Sequence, residues 1–271
     1  MSCYQALGLK KEAFSTSPDP SFFFRSHGHE TALRRLEISI RLRRGLSVIL
    51  GDVGTGKTTL MRALLQEFQA QEGFIFHMIL DPAYDSEFQF LFHLTKLFDV
   101  VPSYRSSLDY KEAIEKHLFQ QGVDQEKTVV LLIDEGQKLS ASVLEILRML
   151  LNYETNEYKL LQLVILAQME LLPKVRKIRN FMDRVALKYI LNPLDEAETR
   201  QMIEFRLQAA GYPVPQGLFT EEGIHLIHQH SQGYPRRISL LCHDAMEQLI
   251  MQEKRMVDGQ LIRQLLASEV R

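Results

Sequence analysis

Residues 51–58 read Gly-Asp-Val-Gly-Thr-Gly-Lys-Thr, a complete match to G-x-x-x-x-G-K-[ST]. An apolar run, Leu46–Leu50, precedes them, and a helical pattern follows to about Gln71. This order of strand, glycine-rich loop and helix is built to hold phosphate. The glycines let the backbone curl so that several N–H groups face phosphate oxygens, and the helix N-terminus adds the positive end of its dipole. Lys57 supplies a point charge for the β- and γ-phosphates, and the Thr58 hydroxyl is a ligand for Mg²⁺. Gly51, Asp52, Val53, Gly54, Thr55, Gly56, Lys57, Thr58 and Thr59 are therefore the expected nucleotide-binding residues, with ATP and Mg²⁺ as the ligands. The competing reading is a glycine-rich turn that binds nothing. No dinucleotide-type G-x-G-x-x-G stands elsewhere to contest the assignment.

Such a loop needs a carboxylate at the tip of a neighbouring strand to hold the metal. Val129-Val130-Leu131-Leu132-Ile133-Asp134-Glu135 supplies two. Asp134 is the expected Mg²⁺ partner. Glu135, one residue on, is positioned to orient and deprotonate the attacking water. Taken alone, the same pattern also describes a strand ending in two solvated acids.

Apolar runs alternating with helical patterns fill the chain as far as Asn192-Pro193. Strands are predicted at Leu46–Leu50, Phe74–Leu80, Thr128–Ile133, Leu161–Ala167 and Val185–Leu191. Helices are predicted at about 30–43, 57–71, 86–98, 108–121 and 140–153. Strands that alternate with helices imply a parallel sheet covered on both faces. After Pro193 only helical patterns remain, at about 195–210, 220–231, 235–253 and 258–267. The expected division is residues 1–193, an α/β core with an irregular lead-in, and residues 194–271, a helical domain. A total of 271 residues suits that pair.

The formal net charge of -2 gives no global attraction to nucleic acid or anionic lipid. Two cysteines, Cys3 and Cys242, make a disulfide framework unneeded and point to a reducing cytoplasm. Neither a signal pattern nor a run of about 18–20 apolar residues occurs, so a membrane role is expected to come through a partner or through a region absent from this sequence.

Other residues are weaker candidates. Gln168, after the fourth strand, can sense the γ-phosphate or position water, or be a surface amide. Arg179 and Arg184, just before the fifth strand, can reach a neighbouring subunit's phosphates or be ordinary surface cations. In Gly233-Tyr234-Pro235-Arg236, proline at a helix start puts Arg236 where it can reach back to the nucleotide. His225, His228 and His230 lack cysteine or carboxylate partners at a ligand spacing and read as a helix face. Phe22–Phe24 suit either an adenine stack or a hydrophobic plug, and the methionine-rich stretch 245–256 reads as core.

Taken together, these residues resemble the AAA+ ATPases of the general secretion pathway protein A type and their relatives in type IV pilus and exopolysaccharide systems. The marks are Tyr4, Leu7-Gly8-Leu9, Phe14, Pro18-Asp19-Pro20, Phe22, Ser26 and His29-Glu30-Thr31-Ala32-Leu33, followed by residues 51–60. Leu132-Ile133-Asp134-Glu135-Gly136-Gln137, Asp183-Arg184-Val185-Ala186 and Gly233-Tyr234-Pro235-Arg236 complete the set. Leu7 and Ala13 stand where the family usually carries Phe and Pro. The resemblance implies an α/β P-loop NTPase fold, a five-stranded parallel sheet ordered 5-1-4-3-2 with a C-terminal all-helical lid, and ATP-driven homo-oligomerisation as a ring or filament. It implies Gln168 as first sensor, Arg236 as second, Arg184 as arginine finger, and His27 and His29 beside the adenine. Secretion-type members often continue into a membrane helix and a periplasmic wall-binding domain, whereas this sequence stops at Arg271; the expected location is the cytoplasm, peripheral at the inner membrane through a partner.

Three functions fit these readings. The first is an ATPase driving assembly of a secretion, pilus or polysaccharide-export machine. The second is a DNA-associated ATPase such as a transposition regulator, served by Arg34, Arg35, Arg41, Arg43 and Arg44 lining one face. The third is a nucleotide-gated binding module without turnover. Near-neutral charge counts against the second, because DNA binding rests on phosphate neutralisation by Lys and Arg. Glu135 counts against the third.

Overall fold

Of the five predicted strands, three are apolar over nearly their whole length, and these form the interior of one sheet. In the computed structural model, which describes residues 7–16 and 19–269, the strands are β1 (Leu46–Leu50), β2 (Phe74–Ile79), β3 (Thr128–Ile133), β4 (Leu161–Ala167) and β5 (Val185–Ile190). All pairings are parallel and the order is β2-β3-β4-β1-β5, the order 5-1-4-3-2 read from the other edge. Every residue of β1, β3 and β4 is buried, the pattern of strands covered on both faces. In β5, half-buried and exposed residues alternate, as suits an edge. Cys3, Tyr4, Ser17 and Pro18 lie outside the described residues.

The chain divides into two units. The sheet belongs to the unit made of residues 31–52 and 60–191. Helices α1 (His27–Arg41), α2 (Lys57–Phe68), α3 (Glu87–Leu97), α4 (Ser107–Phe119), α5 (Ala141–Leu150) and α6 (Leu171–Arg176) alternate with its strands. Ser86, Ser106 and Ser140 cap α3, α4 and α5 by accepting a backbone N–H in the first turn. Val143, Leu144, Leu147 and Leu150, one stripe of α5, join Leu131, Leu163 and Ile165 of the sheet in a single core. The buried Gln162 side chain there is satisfied. Gln162 accepts from the Gly45 N–H at 2.8 Å and donates to the Lys159 carbonyl at 2.8 Å.

The arginines following Leu33 are largely built into this unit. Arg43 donates to Thr128 Oγ1 (2.9 Å) and to the carbonyls of Gly122 (3.2 Å) and Glu126 (2.7 Å), and lies over the Tyr158 ring. Arg41 pairs with Glu37 at 2.9 Å and lies over Phe68, and Arg35 lies over Tyr189. Three of the five arginines expected to line one basic face are thus engaged within their own unit.

The second unit comprises the described residues among 7–30, 53–59 and 192–269. It holds α7 (Glu196–Ala209), α8 (Glu221–Ser231), α9 (Pro235–Met251) and α10 (Gly259–Glu269). Asp195 and Glu198 close a reciprocal capping box at the start of α7. Residues 7–26 have little regular structure, but they are anchored. Leu9, Phe14 and Phe22 enter the core formed by α7, α8, α9 and α10, and the Lys10 N–H donates to the Ala210 carbonyl at 2.8 Å. Phe22, for which a plug under the helix at Glu30 is one expectation, is thus packed in the core of the C-terminal helices. Of the methionines in the stretch 245–256 only Met246 is core, beside Ala245 and Leu249; Met251 and Met256 are exposed. His228 Nδ1 lies 3.0 Å from Thr199 Oγ1, and His225 Nδ1 3.0 Å from Glu196, so both tie α8 to α7. Among the described residues, no helix is long and apolar enough to cross a membrane.

Gly233 shows how narrow the tolerance is in this unit. Its φ is +74°, and a Cβ there would lie 2.0 Å from the Leu194 carbonyl oxygen, in the turn where the Leu194 N–H donates to Gly233 O at 2.9 Å. Gly233→Ala should therefore cost about 2–4 kcal/mol, from left-handed strain plus a backbone clash. Chemical denaturation checks this; a midpoint equal to that of the parent protein would show that the turn is not as tight as described.

Candidate nucleotide site

Parallel strands all end at one edge of the sheet, and of the predicted catalytic residues in the sheet unit Glu135 and Gln168 lie there. Asp134 follows the last residue of β3 and is buried, and one of its carboxylate oxygens accepts the Glu135 N–H at 2.9 Å. Glu135 has φ +52°, a left-handed conformation that is costly for a residue with a side chain and is typically found where function requires it. Gly136 then passes so close to β4 that a Cβ would lie 2.4 Å from Ile165 Cγ2. Only glycine fits after the acid pair.

Gln137 was not among the expected site residues, and it links two that were. Its amide Nε2 donates to Glu135 Oε2 at 2.5 Å, and its Oε1 accepts the Gln168 N–H at 3.0 Å. The carboxylate of Glu135 is thereby tied to the tip of β4, where Gln168 sits, and the tie uses the main chain of Gln168. Gly51 leaves β1 at the same edge, its N–H donating to the Ala167 carbonyl at 3.1 Å, and Asp52 follows it.

Arg184 lies at the other edge. It closes a short turn, Met182–Arg184, immediately before β5 begins, and Val185 is in register with Leu46, the first residue of β1. Six strand residues span about 20 Å, so the start of β5 is far from the acids at the end of β3. Arg184 cannot serve the carboxylates of its own chain. With Arg44, Lys159 and Asp183 it lines an open cavity of about 460 Å³, and its Nε is buried without a hydrogen-bond partner.

The rest of the glycine-rich loop, Val53–Thr59, belongs to the helical unit. Gly54 and Gly56 have φ +85° and +94°, the left-handed conformations that let the loop curl. Thr55 and Lys57 are buried, and Lys57 is the first residue of α2. Arg236 meets this loop by its main chain: its N–H donates to the Gly54 carbonyl at 3.3 Å, and a Cβ on Gly54 would lie 3.1 Å from the Arg236 Cβ.

His29 is buried beneath the loop. Its Nε2 lies 2.8 Å from the Thr55 carbonyl and its Nδ1 2.8 Å from Ser26 Oγ. A carbonyl only accepts, so Nε2 carries the hydrogen and Nδ1 accepts from the Ser26 hydroxyl. Burial holds the imidazole pKa below its usual value, opposed by the hydrogen bond to Thr55. The ring is therefore occupied with the loop, and Phe23 packs on it edge-to-face at 5.1 Å. His27, the other histidine expected beside adenine, donates its backbone N–H to Glu198 at 3.1 Å. A small cavity of about 50 Å³ opens among Phe23, His29, Gly56, Thr59, Met202 and Arg206. Arg206 donates to the Ser15 carbonyl at 3.1 Å, and its buried Nε has no hydrogen-bond partner. No motif flagged Arg206, because its place in this cavity follows from packing alone.

A five-stranded parallel sheet in this order, a complete phosphate loop between β1 and α2, and an acid pair ending β3 define a P-loop nucleotide-binding protein. The chain belongs to the AAA family, whose AAA domain model matches residues 40–175, half of its length. General secretion pathway protein A of Aeromonas hydrophila is 35% identical over 245 residues, which are 89% of this chain and 44% of that protein. The chain thus spans less than half the length of this relative. Among solved structures, Cdc6p of Pyrobaculum aerophilum aligns with a TM-score of 0.69 at 16% identity, covering 90% of this chain and 67% of that one. ORC2 of Aeropyrum pernix aligns with a TM-score of 0.68 at 16% identity, covering 95% and 71%. At such identity the likeness is one of fold.

Proposed function

We propose that the chain binds Mg-ATP on residues 51–59, hydrolyses it, and uses the cycle to drive assembly of a secretion, pilus or polysaccharide-export machine. The observation that carries the machine assignment is the 35% identity to general secretion pathway protein A over 89% of the chain. In this reading Lys57 and the loop N–H groups bind the phosphates. Thr58 and Asp134, a hydroxyl and a carboxylate, are the hard oxygen donors that suit Mg²⁺, which when bound neutralises charge on the β- and γ-phosphates. Glu135 accepts the proton of the attacking water, held in orientation by Gln137. Gln168 and Arg236 report the state of the nucleotide. Arg184, remote from its own acids, acts on the nucleotide of a second copy in a homo-oligomer. A membrane-associated protein partner would bring this chain to the inner face of a membrane from the cytoplasm.

The second reading, a DNA-associated ATPase, is supported only by a general likeness of fold. The net charge of -2 and the engagement of Arg35, Arg41 and Arg43 within their own unit weigh against it. Turnover measured with and without duplex DNA at low salt separates the two. The export reading expects less than a twofold change, whereas tenfold stimulation would replace it with the DNA reading.

A further inference from the structure

We propose that His29 is a positioning residue that holds the peptide between Thr55 and Gly56 so that its N–H faces the bound phosphates. The inference rests on the reading of residues 51–59 as a nucleotide site and gives His29 a role other than the place beside the adenine that the family resemblance implies.

The argument starts from the peptide plane. In a trans peptide the C=O and N–H groups point in opposite directions. The Thr55 carbonyl accepts from His29 Nε2 at 2.8 Å, so the Gly56 N–H of the same plane points away from the histidine. The preceding plane is held in the same manner. The Gly54 carbonyl accepts from the Arg236 N–H at 3.3 Å, which turns the Thr55 N–H away from α9. Two successive planes of the loop are thus oriented by groups from outside it, one from the lead-in and one from the start of α9. An anion cradle works only if its N–H groups are aimed before the ligand arrives; otherwise binding must order them.

His29 itself is fixed on every side. Ser26 holds Nδ1 and also accepts the His29 backbone N–H at 3.4 Å, Phe23 packs against the ring, and the ring is only 3% exposed. Gly56 fits against it solely because it has no side chain: a Cβ there would lie 2.8 Å from His29 Nε2. An ordinary core histidine needs hydrogen-bond partners, but any carbonyl would serve. Here the partner is the carbonyl of the one peptide that leads into the Gly-Lys-Thr of the phosphate motif.

The test compares the parent protein with His29→Gln and His29→Phe, measuring the Kd for a slowly hydrolysed ATP analogue with Mg²⁺ and thermal stability without nucleotide. Glutamine places an amide N–H near the position of Nε2, whereas phenylalanine fills the space without a donor. His29→Phe should weaken binding about tenfold, the effect of one oriented hydrogen bond. His29→Gln should stay within threefold of the parent. Ser26→Ala, which loosens the ring without removing the donor, should fall between them. Parent-like affinity in His29→Phe overturns the proposal, as does a folded His29→Gln that binds no better than His29→Phe. If His29→Phe does not fold, the Gln and Ala variants decide. A parent protein that fails to bind the analogue at millimolar concentration overturns the site assignment itself, an outcome distinct from failure of the strut alone.

Discussion

Glu135→Gln should lower the rate of ATP hydrolysis by about 10²–10⁴-fold, the range that a positioned general base contributes, while nucleotide binding stays within a few-fold of the parent. The substitution is close to isosteric and removes only the charge and basicity of the group. Its environment supports a clean reading. The side chain is held by Gln137 Nε2 at 2.5 Å, and an amide oxygen at the same position can still accept that bond. The left-handed backbone of Glu135 and the tight passage of Gly136 beside Ile165 are unaffected by the change. A glutamine variant that turns over at the parent rate would show that another group activates the water. Accumulation of an oligomer with ATP trapped in it would be the positive counterpart, visible by light scattering.

Lys57→Ala should raise the Kd for ATP about a hundredfold or more. The side chain is buried at the first position of α2, directly after the left-handed Gly56, and in the proposed reading it is the cation that faces the phosphates. Hydrogen bonds to charged groups are worth about 1.5–3 kcal/mol each, and an ammonium facing two phosphates makes more than one. Isothermal titration with Mg-ATP measures the loss directly. Circular dichroism and a thermal melt verify that the variant is folded, and alanine suits the first turn of α2. Retention of micromolar affinity in a folded Lys57→Ala protein would mean that phosphate is not bound where residues 51–58 place it.

Nearly all of the sheet was legible in the chain. Leu46–Leu50, Thr128–Ile133 and Leu161–Ala167 are strands because apolar, β-branched-rich runs of that length between helical patterns have no other place than the buried middle of a parallel sheet. The order 5-1-4-3-2 did not follow from such patterns. It came with the family resemblance, because strand order depends on which crossover packs where. The phosphate loop and the acid pair were legible because each is local: a few contiguous residues carry the whole signal.

What contiguity cannot express is the set of contacts between distant segments. Gln137 and Gln168 meet across 31 positions, and His29 and Thr55 across 26. Each contact joins a side chain to a backbone group, and backbone groups leave no trace in residue identity. For the same reason residues 7–26, irregular by any local criterion, proved to be anchored in the helical core through Leu9, Phe14 and Phe22. The basic face also failed to survive. Arg35, Arg41 and Arg43 look like free cations in the chain, but they lie over aromatic rings, pair with an acid or cap carbonyls that only the folded unit brings near. By itself, then, the amino-acid sequence determined the glycine-rich loop between strand and helix and the acid pair after Ile133, because each is encoded in a few contiguous residues. The tertiary structure alone decided what holds them in place, because that task falls to hydrogen bonds between main chain and side chain over long separations.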